Sequence, residues 1–265
     1  VNRRTFLASA AATAAGLGAG LSVAGGQGEA LPTREPTERL LAGTDHETPV
    51  YELAGDEPGP TALVVGGMHG DERSGYLAAE RVLDWTIDAG RLVVLPRANQ
   101  VAIEHDTRHG EGGDLNRKFP PGQAPTTELA RAIWDLTERT NPDVALNLHS
   151  SKGIYGTHAE FVGQAIFPTE AGDAPRVAAA VVEALNGSVV PWYMPLHDFA
   201  RGNVLSGTAP LFAHKVGGDL ERPAYIVEVT EYLLDAETGA RWTERAAAEL
   251  LARHGIERGD GGGAR

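Results

Sequence analysis

The sequence predicts one α/β domain: a mostly parallel, twisted mixed sheet with helices on both faces. Three observations carry this reading. Short apolar runs alternate with stretches of helical spacing along residues 31–258, the pattern of successive strand–helix units. A length of 265 residues suits one full-sized domain or at most two small ones. A hydrophobic content of 42% is that of a soluble globular chain and excludes both disorder as the main state and a multi-spanning membrane protein. No internal repeat is present.

The elements follow in order. Residues 27–47 are polar and contain prolines, which reads as a linker or a first turn. Val50–Leu53 and Thr61–Gly66 read as strands around a Gly/Pro-rich turn at 55–60. Ser74–Ala89 has helical spacing, with Leu77, Ala78, Val82, Leu83 and Ile87 on one face. Arg91–Pro96 is a short apolar strand. The charged, glycine-bearing stretch from Ala98 to Ala124 reads as a long loop, and long loops in compact domains are usually functional. A helix over Thr126–Thr140, capped by Thr126 or Thr127, leads to a strand at Asp143–Leu148. Pro175–Leu185 and Leu211–Val216 read as helices, Ala224–Val229 as a strand and Glu237–His254 as a closing amphipathic helix. Residues 259–265 read as a disordered tail.

The first thirty residues read as an export signal. Arg3-Arg4 precedes Phe6-Leu7, then an Ala/Gly-rich run leads to small residues near Ser22-Val23-Ala24. The paired arginines resemble the twin-arginine pattern, whose machinery exports folded proteins. A retained anchor helix is the competing reading, disfavoured by the short, glycine-broken apolar stretch. The expected location is therefore extracellular or on the envelope side, with no stable membrane insertion once the signal is removed.

Charge and cysteine content narrow the chemistry. The formal net charge is −13, so the chain lacks the field that nucleic-acid binding needs. Only Lys118, Lys152 and Lys215 are lysines. That fits either a high-salt environment, where screening weakens self-repulsion, or a coding bias toward arginine. With no cysteine, thiol nucleophiles, thiolate metal sites and disulfides are excluded. Any metal must be held by His, Asp or Glu.

Four segments carry candidate chemistry, three of them at the end of an expected strand, where α/β sheets bind ligands. In Gly66-Gly67-Met68-His69-Gly70-Asp71-Glu72, His69 and Glu72 sit on a tight turn that can aim both at one ion. His149 follows the apolar strand Val144–Leu148. Alone it is an ordinary capping or core histidine; with His69 and Glu72 it completes a His₂Glu set, as in catalytic zinc sites with an open position. Asp114-Leu115-Asn116-Arg117 and the preceding Arg108 offer guanidinium and amide donors suited to a carboxylate, or surface ion pairs that staple a loop. Glu228 interrupts the apolar strand Tyr225–Val229, where burial would raise its pKa as a base requires, unless it faces solvent. A phosphate-binding reading of Gly66–Gly70 fails because the Lys-Ser/Thr pair is missing.

The order of these motifs resembles the zinc carboxypeptidase superfamily, and within it the succinylglutamate desuccinylase/aspartoacylase branch. GGMHGDE (66–72), TRHGEGGDLNRKFP (107–120) and NLHSS (147–151) carry the resemblance, which spans residues 48–232. It implies one Zn²⁺ held by His69, Glu72 and His149, with Asp114 orienting a ligand imidazole. It implies that Arg108, Asn116 and Arg117 grip the substrate carboxylate, with Arg108 also polarising the scissile carbonyl. Glu228 would be the general base that activates water, with Glu231 its rival. The branch's substrate-contacting tyrosine is matched equally by Tyr155, Tyr193 and Tyr232. The sequence is also expected to lack the C-terminal β-domain of typical deacylases. His46, His105, His109, His158, His214 and His254 read as surface or loop residues, and His197 as the one most apt to line the pocket.

These readings point to a zinc-dependent hydrolase of an amide bond beside a carboxylate, most simply a deacylase of N-acyl amino acids or related small amides. The alternatives are an exported metallocarboxypeptidase acting on peptides and a non-catalytic binding protein on the same fold. Partners are small carboxylate-bearing amides or peptides; oligomeric state is not readable.

Overall fold

The computed structural model describes residues 34–259. The expected export signal at 1–30 lies outside them, as does the expected tail apart from Gly259, whose N–H donates to Thr86 O at 2.7 Å. Among the described residues the strands are β1 (Glu38–Leu40), β2 (Thr48–Ala54), β3 (Glu57–Gly66), β4 (Ala89–Leu95), β5 (Val144–Ser151), β6 (Ala165–Pro168), β7 (Ala200–Arg201) and β8 (Ala224–Thr230). The helices are α1 (Arg73–Val82), α2 (Gln100–Glu104), α3 (Glu128–Thr140), α4 (Ala174–Ser188), α5 (Phe212–Asp219) and α6 (Ala236–Arg253). None of these helices is long and apolar enough to cross a membrane.

The strands form one sheet in the order β1-β2-β4-β3-β5-β8-β6-β7. Its centre, β4-β3-β5-β8, is parallel, while β2 joins β4 and β6 joins β8 antiparallel. Strand side chains alternate between two cores, as the period of two requires. Val64, Leu146, Leu148, Val227 and Val229 pack with α1, α4 and α6 on one face. Leu63, Val65, Ala145, Ala224 and Ile226 pack with α3 and α5 on the other. The same parity carries His149 and Glu228 to the α3/α5 face and sends Ser150 to the opposite one.

Chain path fixes where a crevice opens. From β3 the chain crosses by α1 on one face to β4, then returns by α3 on the other face to β5, on β3's far side. The carboxyl ends of β3 and β5 thus stand at a topological switch point, where the connections leave in opposite directions and a ligand site opens.

Several elements differ from expectation. The stretch read as a linker contains β1, paired with β2. Helix α1 stops at Val82: Leu83, Asp84 and Trp85 donate to Glu80, Arg81 and Val82 in tightened i→i−3 bonds, and the Trp85 ring is buried below the helix. The loop at 98–124 contains α2, whose start is capped by Asn99 Oδ1 accepting from Ala102 N, and a 3₁₀ turn at Leu115–Arg117. β6 and β7 are too short to show a period. The α3 cap is Thr127, accepting from Ala130 N.

Two glycines let the β3–α1 turn form. Gly67 has φ +70°, a left-handed conformation that glycine tolerates best. A Cβ on Gly70 would overlap the Ala102 main chain in α2, a neighbour with no side chain to swing aside. Gly70→Ala should therefore destabilise the fold by about 2 kcal/mol through overpacking, read from the midpoint of urea unfolding. An unchanged midpoint would mean that α2 is not fixed against this turn.

Candidate metal centre

The β3–α1 turn and the end of β5 bring His69, Glu72 and His149 together, their donor atoms all within 4.8 Å of one another. All three are buried. Glu72 occupies the N-cap position of α1 yet makes no side-chain cap bond; its carboxylate turns to the imidazoles instead. Glu72 Oε1 lies 2.7 Å from His69 Nδ1, and Oε2 lies 2.5 Å from His149 Nδ1. Each ring thus turns the same nitrogen to the carboxylate.

The opposite nitrogens are also held. His69 Nε2 meets Asp114 Oδ1 at 2.8 Å, and His149 Nε2 lies 3.3 Å from Asn116 Nδ2. Arg108 closes the cluster, donating to Glu72 Oε1 at 2.6 Å and to Asp114 Oδ2 at 3.3 Å. Two imidazoles and a carboxylate converging from rigid elements, with the far nitrogen of His69 set to donate to Asp114, fit a divalent transition metal with a position left open.

Surroundings set the protonation of each group. Burial pushes His69 down, but the Asp114 and Glu72 carboxylates outweigh it and leave its pKa raised. His149 has only Glu72 as an anionic neighbour, and burial wins, lowering it. Burial pushes Glu72 up, yet the charge and hydrogen bond of His149, with those of His69, hold it well below the carboxylate range. Asp114 is likewise held low against burial by His69 and Arg108. Glu228 is the reverse case: burial first, then the Glu72 charge, drive its pKa well above normal.

Glu228 pairs in register with His149 across β5 and β8, so both project on the same face. Its Oε2 is buried with no hydrogen-bond partner among the described residues. Glu231 instead accepts from Ser150 Oγ at 2.8 Å, and Ser150 belongs to the other face. Of the two rival glutamates, the geometry brings Glu228 to the cluster.

The remaining expected residues are placed as follows. Asn116 is buried, and its Oδ1 accepts from Phe212 N at 3.0 Å, so both ends of its amide are engaged by protein. Arg117 is exposed and donates to the Asn116 carbonyl at 3.0 Å. Tyr155, Tyr193 and Tyr232 are all exposed. His197 does not line the site: its Nε2 meets Tyr232 O at 2.8 Å and its ring stands edge-on to Trp242 beneath α6. His214, read as a surface residue, is buried on α5 because it falls on that helix's inner side. Sequence reasoning missed Asn99, whose Nδ2 donates to Met68 O at 3.4 Å, and Asn147, whose Nδ2 meets Met68 Sδ at 3.5 Å below the turn. Asn147, polar within an apolar run, was the available signal; Asn99 had none.

Residues 58–194 match the model of the succinylglutamate desuccinylase/aspartoacylase catalytic domain, a span that includes every residue of the cluster but not Glu228. An N-alpha-acetyl-L-2,4-diaminobutyric acid deacetylase from Halomonas elongata is 37% identical over 100 residues, 35% of this chain and 29% of the relative. The tripeptide-bound cell shape determinant Csd4 of Helicobacter pylori superposes with TM-score 0.67 at 18% identity, covering 80% of this chain and 57% of that one. The product-bound ectoine utilisation protein EutE (DoeB) of Ruegeria pomeroyi gives 0.57 at 23%, covering 81% and 62%. The chain spans under a third of the deacetylase's length and under two thirds of each of these two structures.

Asp114 touches His69 on the side away from Glu72, so Asp114→Asn should weaken divalent-metal binding about tenfold while leaving the fold intact. Competition against a chromophoric chelator measures this. Wild-type affinity in the variant would remove Asp114 from the site.

Proposed function

Because the chain belongs to the succinylglutamate desuccinylase/aspartoacylase catalytic-domain family, we propose that it is a zinc-dependent amidohydrolase that removes the acyl group from an N-acyl amino acid or related small amide. The observation that carries this reading is the His69/Glu72/His149 cluster with the unpartnered Glu228 oxygen on the same face. The Halomonas relative, by its name, deacetylates an N-acetyl amino acid, which supports an acylated amino acid as substrate here.

His69, Glu72 and His149 would hold the zinc, which would supply a Lewis acid for the scissile carbonyl and lower the pKa of water. Glu228, desolvated and with its proton affinity raised, takes a proton from the attacking water as its oxygen adds to the carbonyl carbon. As the C–N bond breaks, Glu228 returns that proton to the leaving nitrogen. The second proton of the water, left on the acyl group's new carboxyl, passes to the amine, so the products are a carboxylate and an ammonium. Arg117 and Arg108 bind the substrate carboxylate and the developing oxyanion. Export of the folded chain, suggested by Arg3-Arg4, belongs to the same reading.

Two measurements test it. Purified protein is assayed with a panel of N-acyl amino acids and short peptides, with and without chelator. Release of acyl groups that stops with chelator is the expected result. Release of C-terminal residues from peptides instead would make it a carboxypeptidase, and bound zinc without turnover on either class would leave a binding protein. Glu228→Gln should retain zinc and lose about two to four orders of magnitude in kcat. Full turnover in that variant would mean that Glu231 or another base does the work.

A further inference from the structure

Helix α5 carries a buried cation that the chemistry above does not use. The Lys215 side chain is 3% exposed. A buried ammonium is tolerated only when its hydrogens find acceptors. Nζ donates to Gln123 O at 2.7 Å, Pro120 O at 3.2 Å and Asp219 Oδ2 at 2.5 Å, and lies 4.4 Å from the Trp134 ring centre. Two of those acceptors are main-chain carbonyls in the turn that follows Arg117. The other Asp219 oxygen accepts from Gly122 N at 2.7 Å in the same turn. The Lys215–Asp219 pair, one helical turn apart, therefore grips residues 120–123 with a donor and an acceptor at once.

The other end of α5 holds the preceding residues. Phe212 N donates to Asn116 Oδ1 at 3.0 Å, Phe119 N donates to Pro210 O at 3.2 Å, and the Phe119 and Phe212 rings meet edge-on with centroids 5.4 Å apart. The segment bearing Asn116 and Arg117 is thus fastened to one helix at both ends. Asn116 Nδ2 in turn lies 3.3 Å from His149 Nε2. A continuous path of contacts runs from the buried ion pair, through α5 and Asn116, to a candidate metal ligand. A methionine could fill the Lys215 volume against Trp134, but it would leave the Asp219 carboxylate without its cation. It could not bind two carbonyls of an irregular turn.

We propose that Lys215 is a positioning residue: paired with Asp219, it locks the 116–123 segment onto α5 and so sets the angle of the His149 ring and the place of Arg117. The part concerning Arg117 rests on the hydrolase reading; the part concerning His149 does not.

The test uses Lys215→Met and Asp219→Asn in the whole chain, the second keeping the fold accessible if the first does not express. Amide exchange, zinc affinity by chelator competition, and kinetics at saturating zinc are measured together. Exchange at Phe119 and Gly122 should quicken while β5 and β8 amides hold, and zinc affinity should fall about tenfold. KM for the carboxylate substrate should rise about fivefold with kcat nearly unchanged. Lys215→Met combined with Asn116→Ala should bind zinc no more weakly than Asn116→Ala alone, since both act through one contact. Wild-type zinc affinity and exchange in the folded variants, or losses that add in the double variant, would reduce Lys215 to a core ion pair. Absence of hydrolysis on every substrate, with the exchange and zinc effects intact, would overturn the hydrolase reading and leave the positioning role standing.

Discussion

Glu72 places a carboxylate, 7% exposed, between two imidazoles and an arginine, and a charge so placed is tolerable only while those partners stay. An isolated buried carboxylate costs several kcal/mol, far more than any one loop contact returns. The partners come from the β3–α1 turn, the end of β5 and the 108–114 loop. All three must therefore be in place together. The N-terminus of α1 helps, since the carboxylate sits at its positive end and the side chain is not spent on capping. The closely approached Gly70, the Asn99 bond to Met68 and the Asp114 contact all serve the same convergence.

That one charge also separates the roles of its neighbours. His69 stands between two carboxylates and is raised in basicity, whereas His149 meets an amide on its far side and is lowered by burial. Glu72 and Glu228 meet at one site but their proton affinities are driven apart: imidazoles hold the first low, while desolvation and the first's charge raise the second. Two carboxylates with opposed environments in one site are the pattern that separates tasks in acid–base enzymes, and it suits the proposed ligand and base. Strand parity assigns which glutamate takes part, because a shift of one residue would turn Glu228 away and leave only side chains of the opposite core.

Much of this was legible in the sequence, and the reasons are physical. Long apolar strands and the helices α3 and α6 announce themselves because burial on a fixed period leaves a regular trace. His69, Glu72 and His149 were readable because each sits at a strand end beside glycine or an apolar run, where a polar residue has no packing reason to be. The short pieces were not readable: β1, β6, β7 and α2 owe their existence to partners distant in sequence. Nor could spacing show that the Asn116 amide is consumed by Phe212 and His149, or that His197 lies under Tyr232. Those placements depend on how α5 and α6 pack, which no local pattern encodes. Lys215 reads as one more charged residue on a short helix until its acceptors are seen.

Net charge sharpens what the arginines must do. On the proposed reading, a chain at −13 repels its carboxylate substrate at long range, so capture depends on cations close to the site. Arg108 is already engaged by Glu72 and Asp114, and much of its charge is answered there. Arg117 is exposed and, among the described residues, bonded only to a neighbouring carbonyl, which leaves its guanidinium to meet an incoming anion. At physiological ionic strength the screening length is about 8 Å, so the distant acidic surface fades while a contact pair at hydrogen-bond distance does not. On the proposed reading, selectivity for a carboxylate falls mainly on Arg117, held on an irregular turn. An arginine's fork recognises a carboxylate only within a narrow range of angles. The buried Lys215–Asp219 pair gives that turn the fixed footing which its own backbone, lacking regular structure, cannot supply.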